Sequence, residues 1–139
     1  MKPPSEALLS IVRQWIAKAD IDFRTAERLL CSEDPIRESG AFHCQQASEK
    51  YLKAFLVWQQ IEFAKTHSIA QLLDLVASVA PDLAASLAGA VSLTPFGVRI
   101  RYPDDFPELP VGQEAVLFEL AKMTRDRIMA RLERYLSGK

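Results

Sequence analysis

The chain has few of the residues that interrupt helices or build metal and disulfide sites. Its 139 residues include 5 glycines, 8 prolines, 2 cysteines and 2 histidines. So few glycines and prolines leave room for long uninterrupted helices. Cys31 and Cys44 lack the spacing of a disulfide framework or a zinc site. With two distant histidines and no acidic cluster at helical spacing, we expect no metal site and no cofactor other than a nucleotide ligand.

The chain also lacks an excess of charge and a long apolar run. The formal net charge is -1, which excludes the global basic field of a general DNA-coating protein. Any nucleotide or nucleic-acid site must therefore be local. No run reaches the roughly 18 apolar residues of a membrane span, and the first residues lack the apolar block of a signal peptide. We expect a cytoplasmic protein with no membrane association, and the length suits a single domain over residues 1–139.

Residues 34–60 form the stretch around which the chain is organised. They read as one helix, begun by Asp34 and Pro35, with a stripe of buried apolar residues at steps of three and four. A second line, the donor row, borders that stripe within an arc of roughly 80°. We expect the donor row to be accessible to solvent and able to hold an anion. The apolar stripe is Gly40, Cys44, Ala47, Tyr51, Ala54, Phe55 and Trp58; the donor row is His43, Gln46, Lys50 and Lys53.

The preceding helix, predicted over residues 5–31 with Ser5 as its N-cap, carries one polar residue on its apolar face. Asp22 falls on the same arc as Trp15 and Ala19, and a carboxylate buried there needs a partner. Three readings stay open from the sequence. Asp22 forms a structural ion pair with a neighbouring helix, or it orients a residue of the donor row, or the helix is rotated and Asp22 is solvated.

A third helix is predicted after residue 68, where Ser68 and Gln71 have the spacing of a capping box and Pro81 ends the helix. Lys65 and His67 stand just before its N-terminus. His67 is either a turn residue or a ligand contact at the positive end of a helix.

The one long irregular segment covers residues 94–112, and long loops in compact domains are often functional. Arg99 and Arg101 lie beside Tyr102 in this segment, so an arginine there could hold a phosphate or stack on a base. The same arginines could instead pair with Asp104 or Asp105 and pin the loop.

A last helix is predicted over residues 113–136, and a short helix over residues 82–93. Four long helices with short connections and no strand alternation predict an all-α protein. Its architecture would be an up-and-down four-helix bundle with one extra short helix.

Three motifs in order resemble the HEPN domain family, small helical proteins of bacteria and archaea. They are FHCQQASEKYLKAFL at 42–56, KTHSIAQLL at 65–73 and RYPD at 101–104, preceded by Trp15, Asp22 and Phe23 in the first helix. The resemblance covers nearly the whole chain. It implies a helical bundle that often forms a homodimer, a nucleotide or RNA ligand, and for many members pairing with a minimal nucleotidyltransferase as toxin and antitoxin.

Other members of that family are metal-independent ribonucleases with an Arg-x4-6-His motif near the start of the last long helix. Here no histidine follows His67, so the motif is missing from that place. Arg37 and His43 have a matching spacing, but residues six apart on a helix point about 240° apart, which makes convergence on one phosphate unfavourable. We therefore regard this match as chance.

Three hypotheses for the function follow. In the first, a binding module holds a nucleotide or RNA phosphate, with a nucleotidyltransferase as its partner. The second is a ribonuclease using His43 or His67 with Arg101, which the missing motif disfavours. In the third, the domain is purely structural, its lysines are a solvated face, and exposed apolar residues such as Phe42, Leu56 and Phe63 serve dimerisation.

Overall fold

The structure, a computed structural model, describes residues 5–97 and 103–136. Within these ranges it is all-α, as predicted, with no strand. The helices are α1 (Glu6–Leu30), α2 (Arg37–Trp58), α3 (Ile69–Ala77), α4 (Pro81–Ser86) and α5 (Gln113–Leu136); 3₁₀ turns cover Ala88–Gly97 and Pro103–Asp105.

α2 is the central helix of the bundle. It packs against α1, α5, α3 and the 3₁₀ turns of Ala88–Gly97. α1 and α2 are antiparallel. Asp22 of α1 contacts His43 of α2, whereas Asp20, which is earlier in α1, contacts Tyr51, which is later in α2. A helix enclosed on so many sides must be apolar or internally satisfied around most of its circumference. The predicted stripe of α2 is buried from Gly40 to Phe55, with Trp58 partly buried.

Side-chain and backbone caps define the helix ends. Ser5 accepts a hydrogen bond from the Leu8 N–H at 3.1 Å, which confirms the predicted N-cap of α1. Ser68 caps α3 in the same way through the Gln71 N–H. The side chain of Gln71 does not complete a capping box, because it accepts instead from the Thr66 hydroxyl, whose oxygen accepts from the Ser68 N–H.

The start of α2 differs from the prediction. α2 begins at Arg37 after Ile36, with no side-chain cap, and Asp34 is exposed. The reason is a backbone hydrogen bond from the Ile36 N–H to Leu29 O at 2.9 Å, which closes the turn onto the end of α1 before the helix can start.

α2 ends in a Schellman motif built around a non-glycine residue. Gln60 has a φ of 58°, its N–H donates to Val57 O, and the Ile61 N–H donates to Leu56 O. The left-handed conformation costs a non-glycine residue roughly 1 kcal/mol. The motif turns the chain back so that residues 61–67 lie along α2.

Two further expectations need correction. Leu56 is fully buried rather than exposed, whereas Phe42 and Phe63 are partly buried. Pro81 does not end α3, which stops at Ala77; Pro81 begins α4 as its first residue, where proline's missing N–H is harmless.

Candidate functional site

A narrow polar opening interrupts the burial of α2. From Ala41 to Leu56 every residue is buried except four, which are partly exposed. Three of the four are polar and recur at spacings of three and four, so they lie along one line of the helix. We call this set the α2 window: Phe42, His43, Gln46 and Lys50.

A buried carboxylate of α1 holds both ionisable side chains of the α2 window. Asp22 is 7% exposed. Its Oδ1 lies 2.8 Å from Nδ1 of His43, and its Oδ2 accepts from the ammonium of Lys50. Two of the readings left open by the sequence therefore occur together, since Asp22 forms an interhelical ion pair and also contacts a histidine of the donor row.

The contact with Asp22 also sets the chemistry of His43. The carboxylate accepts from Lys50, so Nδ1 is the ring atom that donates to it. In a neutral imidazole the proton is then on Nδ1, and the lone pair is on Nε2. With the side chain of His43 27% exposed, Nε2 can act as an acceptor or, when protonated, as a donor.

A second buried carboxylate, Glu49, organises a second histidine. Glu49 Oε1 lies 2.9 Å from Nδ1 of His67 and accepts from Gln45 at 3.1 Å, while Oε2 accepts from Lys53 at 2.9 Å. Burial would raise the pKa of Glu49, but the hydrogen bonds from Lys53, His67 and Gln45 outweigh burial and lower it. The ring of His67 stays 69% exposed, so its far nitrogen faces solvent.

The expectation that the whole donor row is accessible to solvent is wrong for Lys53, whose ammonium is buried. The side chain is 8% exposed and paired with Glu49. Its Nζ also lies 5.6 Å from the ring centre of Trp15 and 5.7 Å from that of Phe63. A four-carbon side chain can fold away from the direction of its Cα, and here the buried carboxylate and the two aromatic rings draw it inward.

Gln45 connects the α2 window to His67. Its Oε1 accepts from Gln46 at 2.7 Å, and its Nε2 donates to the backbone oxygen of His67 at 3.1 Å as well as to Glu49. A side chain at Gly97 would collide with this amide, since an added Cβ would lie 2.4 Å from Gln45 Cδ. His67 is therefore fixed to α2 at both its ring and its backbone.

Sequence reasoning assigned no role in the site to Gln45 or Glu49. Two signals were present in the sequence. Glu49 precedes Lys53 by four residues, the favoured order for a helical ion pair, and both Gln45 and Glu49 belong to the motif of residues 42–56.

One further predicted site residue, Lys65, joins neither carboxylate cluster. Lys65 is exposed and has no hydrogen-bond or ion-pair partner among the described residues. Arg99, Arg101 and Tyr102 lie outside the described residues, so their predicted contacts remain predictions. Arg37 donates to Leu109 O at 2.8 Å and pairs with Glu114 at 3.0 Å, while His43 contacts Asp22.

Other chemistries find little support in the described part of the chain. Within residues 5–97 and 103–136, no group of three or more His, Cys, Asp and Glu side chains could hold a metal ion. None of the helices in these ranges has the length and apolar character needed to cross a membrane. Cys44 is fully buried, so it is a core residue as predicted, and burial, reinforced by Cys31, raises the pKa of its thiol to about 12.

Comparison with known proteins gives one match. The model of the HEPN domain matches residues 12–135, which include most of α1, all of α2, α3 and α4, and nearly all of α5. No curated protein and no solved structure matches the chain.

The Glu49 cluster makes a prediction about stability and pH. Replacement of Glu49 by Gln should lower the free energy of unfolding at neutral pH by about 3 kcal/mol, because the buried Lys53 ammonium loses its counter-charge. The lowered pKa of Glu49 means that its stabilisation is present above the pKa in the unfolded chain and is lost as the pH falls through the lower pKa of the folded state. Urea unfolding between roughly pH 7 and roughly pH 3, which spans the ordinary glutamate pKa, should therefore show a smaller loss on acidification in E49Q than in the wild type.

The exposed Glu119→Gln is the matched control and should leave the pH dependence unchanged. Equal acid sensitivity in E49Q and the wild type would contradict the assignment.

Proposed function

The chain belongs to the HEPN domain family, and from this premise we propose that it is a binding module for a phosphate-bearing ligand, a nucleotide or an RNA phosphate. The observation that carries the proposal is the α2 window, the one partly exposed part of α2 between Ala41 and Leu56. Its polar members are an imidazole, an amide and an ammonium. These groups donate hydrogen bonds to phosphate oxygens.

The geometry supports a compact site. His43 and Lys50 are seven residues apart, about 10 Å along the axis of an α-helix, yet both reach the same carboxylate of Asp22. The contact draws their polar ends together, to opposite oxygens of one carboxylate. A single phosphate group could then touch both, with Gln46 between them on the same line of the helix.

Burial supports preorganisation of the donors. Asp22 is fixed in the α1–α2 interface, and the backbone of the α2 window is part of a helix enclosed by its neighbours. Donors already held in place lose less conformational entropy when a ligand binds.

Calorimetric titration with ATP, GTP and a short RNA tests the proposal. We expect saturable binding to at least one of them, weakened about tenfold or more by Lys50→Met and by His43→Gln, since each removes a charge-assisted hydrogen bond. Lys122→Met, an exposed lysine on α5, is the matched control and should bind as the wild type does. Absence of binding by the folded protein would leave the α2 window as a solvated face and favour the purely structural role.

A second candidate function, metal-independent cleavage of RNA, is favoured by one observation. Both histidines of the chain present Nδ1 to a buried carboxylate, His43 to Asp22 and His67 to Glu49. Each neutral ring then keeps Nε2 for proton transfer, and a pair of such rings can supply a general base and a general acid. The absence of the Arg-x4-6-His motif from its usual place disfavours this candidate.

Cleavage of a labelled RNA in the presence of EDTA tests the second candidate. If it holds, the rate should depend on pH with a maximum between two ionisations, and His43→Gln and His67→Gln should each lower it about a hundredfold or more. A folded wild-type protein that leaves the RNA intact would exclude the candidate.

We also propose, on family membership and the motifs of residues 42–56 and 65–73, that the domain forms a homodimer and partners a minimal nucleotidyltransferase, as in toxin–antitoxin pairs. Analytical ultracentrifugation should give twice the monomer mass of 15.6 kDa. Co-expression with a nucleotidyltransferase encoded beside it should yield a complex that survives purification. A monomer that retains no such partner would contradict this assignment.

A further inference from the structure

The charges of Asp22, His43 and Lys50 cancel as long as His43 is neutral. Asp22 contributes one negative charge, Lys50 contributes one positive charge, and the two are in direct contact. Among the three side chains, the imidazole is the one whose charge ordinarily changes near neutral pH. An anion that approaches the triad of Asp22, His43 and Lys50 therefore meets no net positive charge until His43 takes up a proton.

The Asp22 carboxylate makes this proton necessary for tight binding of a phosphate. Lys50 already donates to Asp22, so a phosphate must share that ammonium with another anion. The carboxylate is 7% exposed and little screened by water, so its repulsion of a nearby phosphate is strong. A proton on Nε2 of His43 adds one positive charge and one donor on the solvent side of the ring.

Resting on the proposed function, we propose that the α2 window binds a terminal phosphate group with uptake of one proton by His43. The proton comes from solvent, becomes the Nε2 proton of the imidazolium, and is donated in a hydrogen bond to a phosphate oxygen; no covalent bond forms or breaks elsewhere. The ligand class is a phosphate monoester, such as a nucleotide or the phosphorylated end of an RNA.

Among the described residues, Asp22 and Lys50 are the charged groups linked to the ring of His43. Asp22 contacts the ring from α1, and Lys50 of α2 reaches it through the same carboxylate. Within the described part of the chain, no carboxylate of α3, α5 or the 3₁₀ turns forms an ion pair with the ring of His43. The ring of Phe42 packs edge-on against the ring of His43, with ring centres 5.3 Å apart.

The second cluster also contains a carboxylate, a lysine and a histidine, but its side chains differ in solvent exposure from those of Asp22, His43 and Lys50. Glu49, Lys53 and His67 also cancel when His67 is neutral, and Lys53 is buried beneath Trp15 and Phe63. A ligand there would meet one exposed imidazole and no accessible ammonium. His67 is therefore the natural internal control for His43.

A terminal phosphate suits the α2 window better than an internal phosphodiester. A monoester carries close to two negative charges at neutral pH, which matches an imidazolium together with a shared ammonium, whereas a phosphodiester carries one. The donors are also partly covered, since the side chain of Lys50 is 24% exposed and that of His43 is 27% exposed. A group that enters end-on can reach them without a chain continuing on both sides.

Calorimetry with 5′-AMP in two buffers of different ionisation enthalpy tests this inference. At roughly pH 7.5, above the ordinary imidazole range, the apparent binding enthalpy should differ between the buffers by an amount that corresponds to about one proton taken up. The dinucleoside phosphate ApA, which has an internal diester and no terminal phosphate, should bind about tenfold more weakly or worse, a difference of about 1.4 kcal/mol.

Two variants assign the proton to a residue. His43→Gln should abolish the proton uptake and weaken 5′-AMP binding about tenfold, whereas Lys122→Met, the exposed matched control on α5, should preserve both. Because the chain has 2 histidines, the imidazole signal that His43→Gln removes from an NMR titration belongs to His43, and the remaining signal belongs to His67. Addition of 5′-AMP should shift the titration midpoint of His43 to higher pH and leave that of His67 in place.

The outcomes separate this inference from the proposed function. Binding of 5′-AMP without buffer dependence, or with proton uptake that persists in H43Q, would overturn the inference and leave the binding module standing. Equal affinity for ApA would overturn the preference for a terminal phosphate. If the folded protein binds neither these ligands nor ATP, GTP or RNA, both proposals fail.

Discussion

A carboxylate inside a helical bundle must be given hydrogen-bond donors, and this requirement shapes the centre of the molecule. Asp22 and Glu49 are 7% and 3% exposed. Each would destabilise the fold by several kcal/mol if it were left without a partner. α2 supplies a lysine to each carboxylate, Lys50 to Asp22 and Lys53 to Glu49. His43 completes the first cluster, and His67 completes the second. The side chains that could meet a ligand are therefore the same ones that make the interior stable.

The fold alone does not require these carboxylates. An apolar residue at position 22 would continue the buried stripe formed by Ala19, Phe23 and Ala26 on α1. Replacing a buried ion pair by well-packed apolar residues is often neutral or even stabilising. Stability therefore offers little reason for a charged pair at this position. A binding role for His43 and Lys50 would supply one.

Helical periodicity predicted the larger features of the structure because each of them is set by backbone geometry. The spacing of apolar residues placed α1, α2 and α5 close to their observed bounds, and it placed His43, Gln46 and Lys50 on one line. It also singled out Asp22 as a polar residue on an apolar arc. These inferences need only the rotation of about 100° per residue.

Prediction from the sequence was wrong or incomplete where a tertiary contact overrides the local conformational preference of a residue. A helical projection gives the direction of the Lys53 Cα–Cβ bond but not the destination of its ammonium, which Glu49, Trp15 and Phe63 decide. The start of α2 depends on a backbone hydrogen bond from Ile36 to Leu29, and no local sequence pattern predicts the turn that this bond closes. Gln45 was overlooked because its partners, Gln46 and the backbone of His67, become neighbours only when residues 61–67 fold back along α2.

The central position of α2 also affects two rates, the exchange of its amide protons with solvent and the association of a ligand. A helix that packs against α1, α3, α5 and the 3₁₀ turns is enclosed along its middle except at the α2 window. Its amide protons between residues 41 and 56 should therefore exchange with solvent only when the whole domain unfolds. The donors of the α2 window would then be displayed by the slowest-exchanging part of the chain. Such a surface meets its ligand by rigid-body collision rather than by a folding step, so the shape of the ligand, and not the adaptability of the protein, would set the association rate.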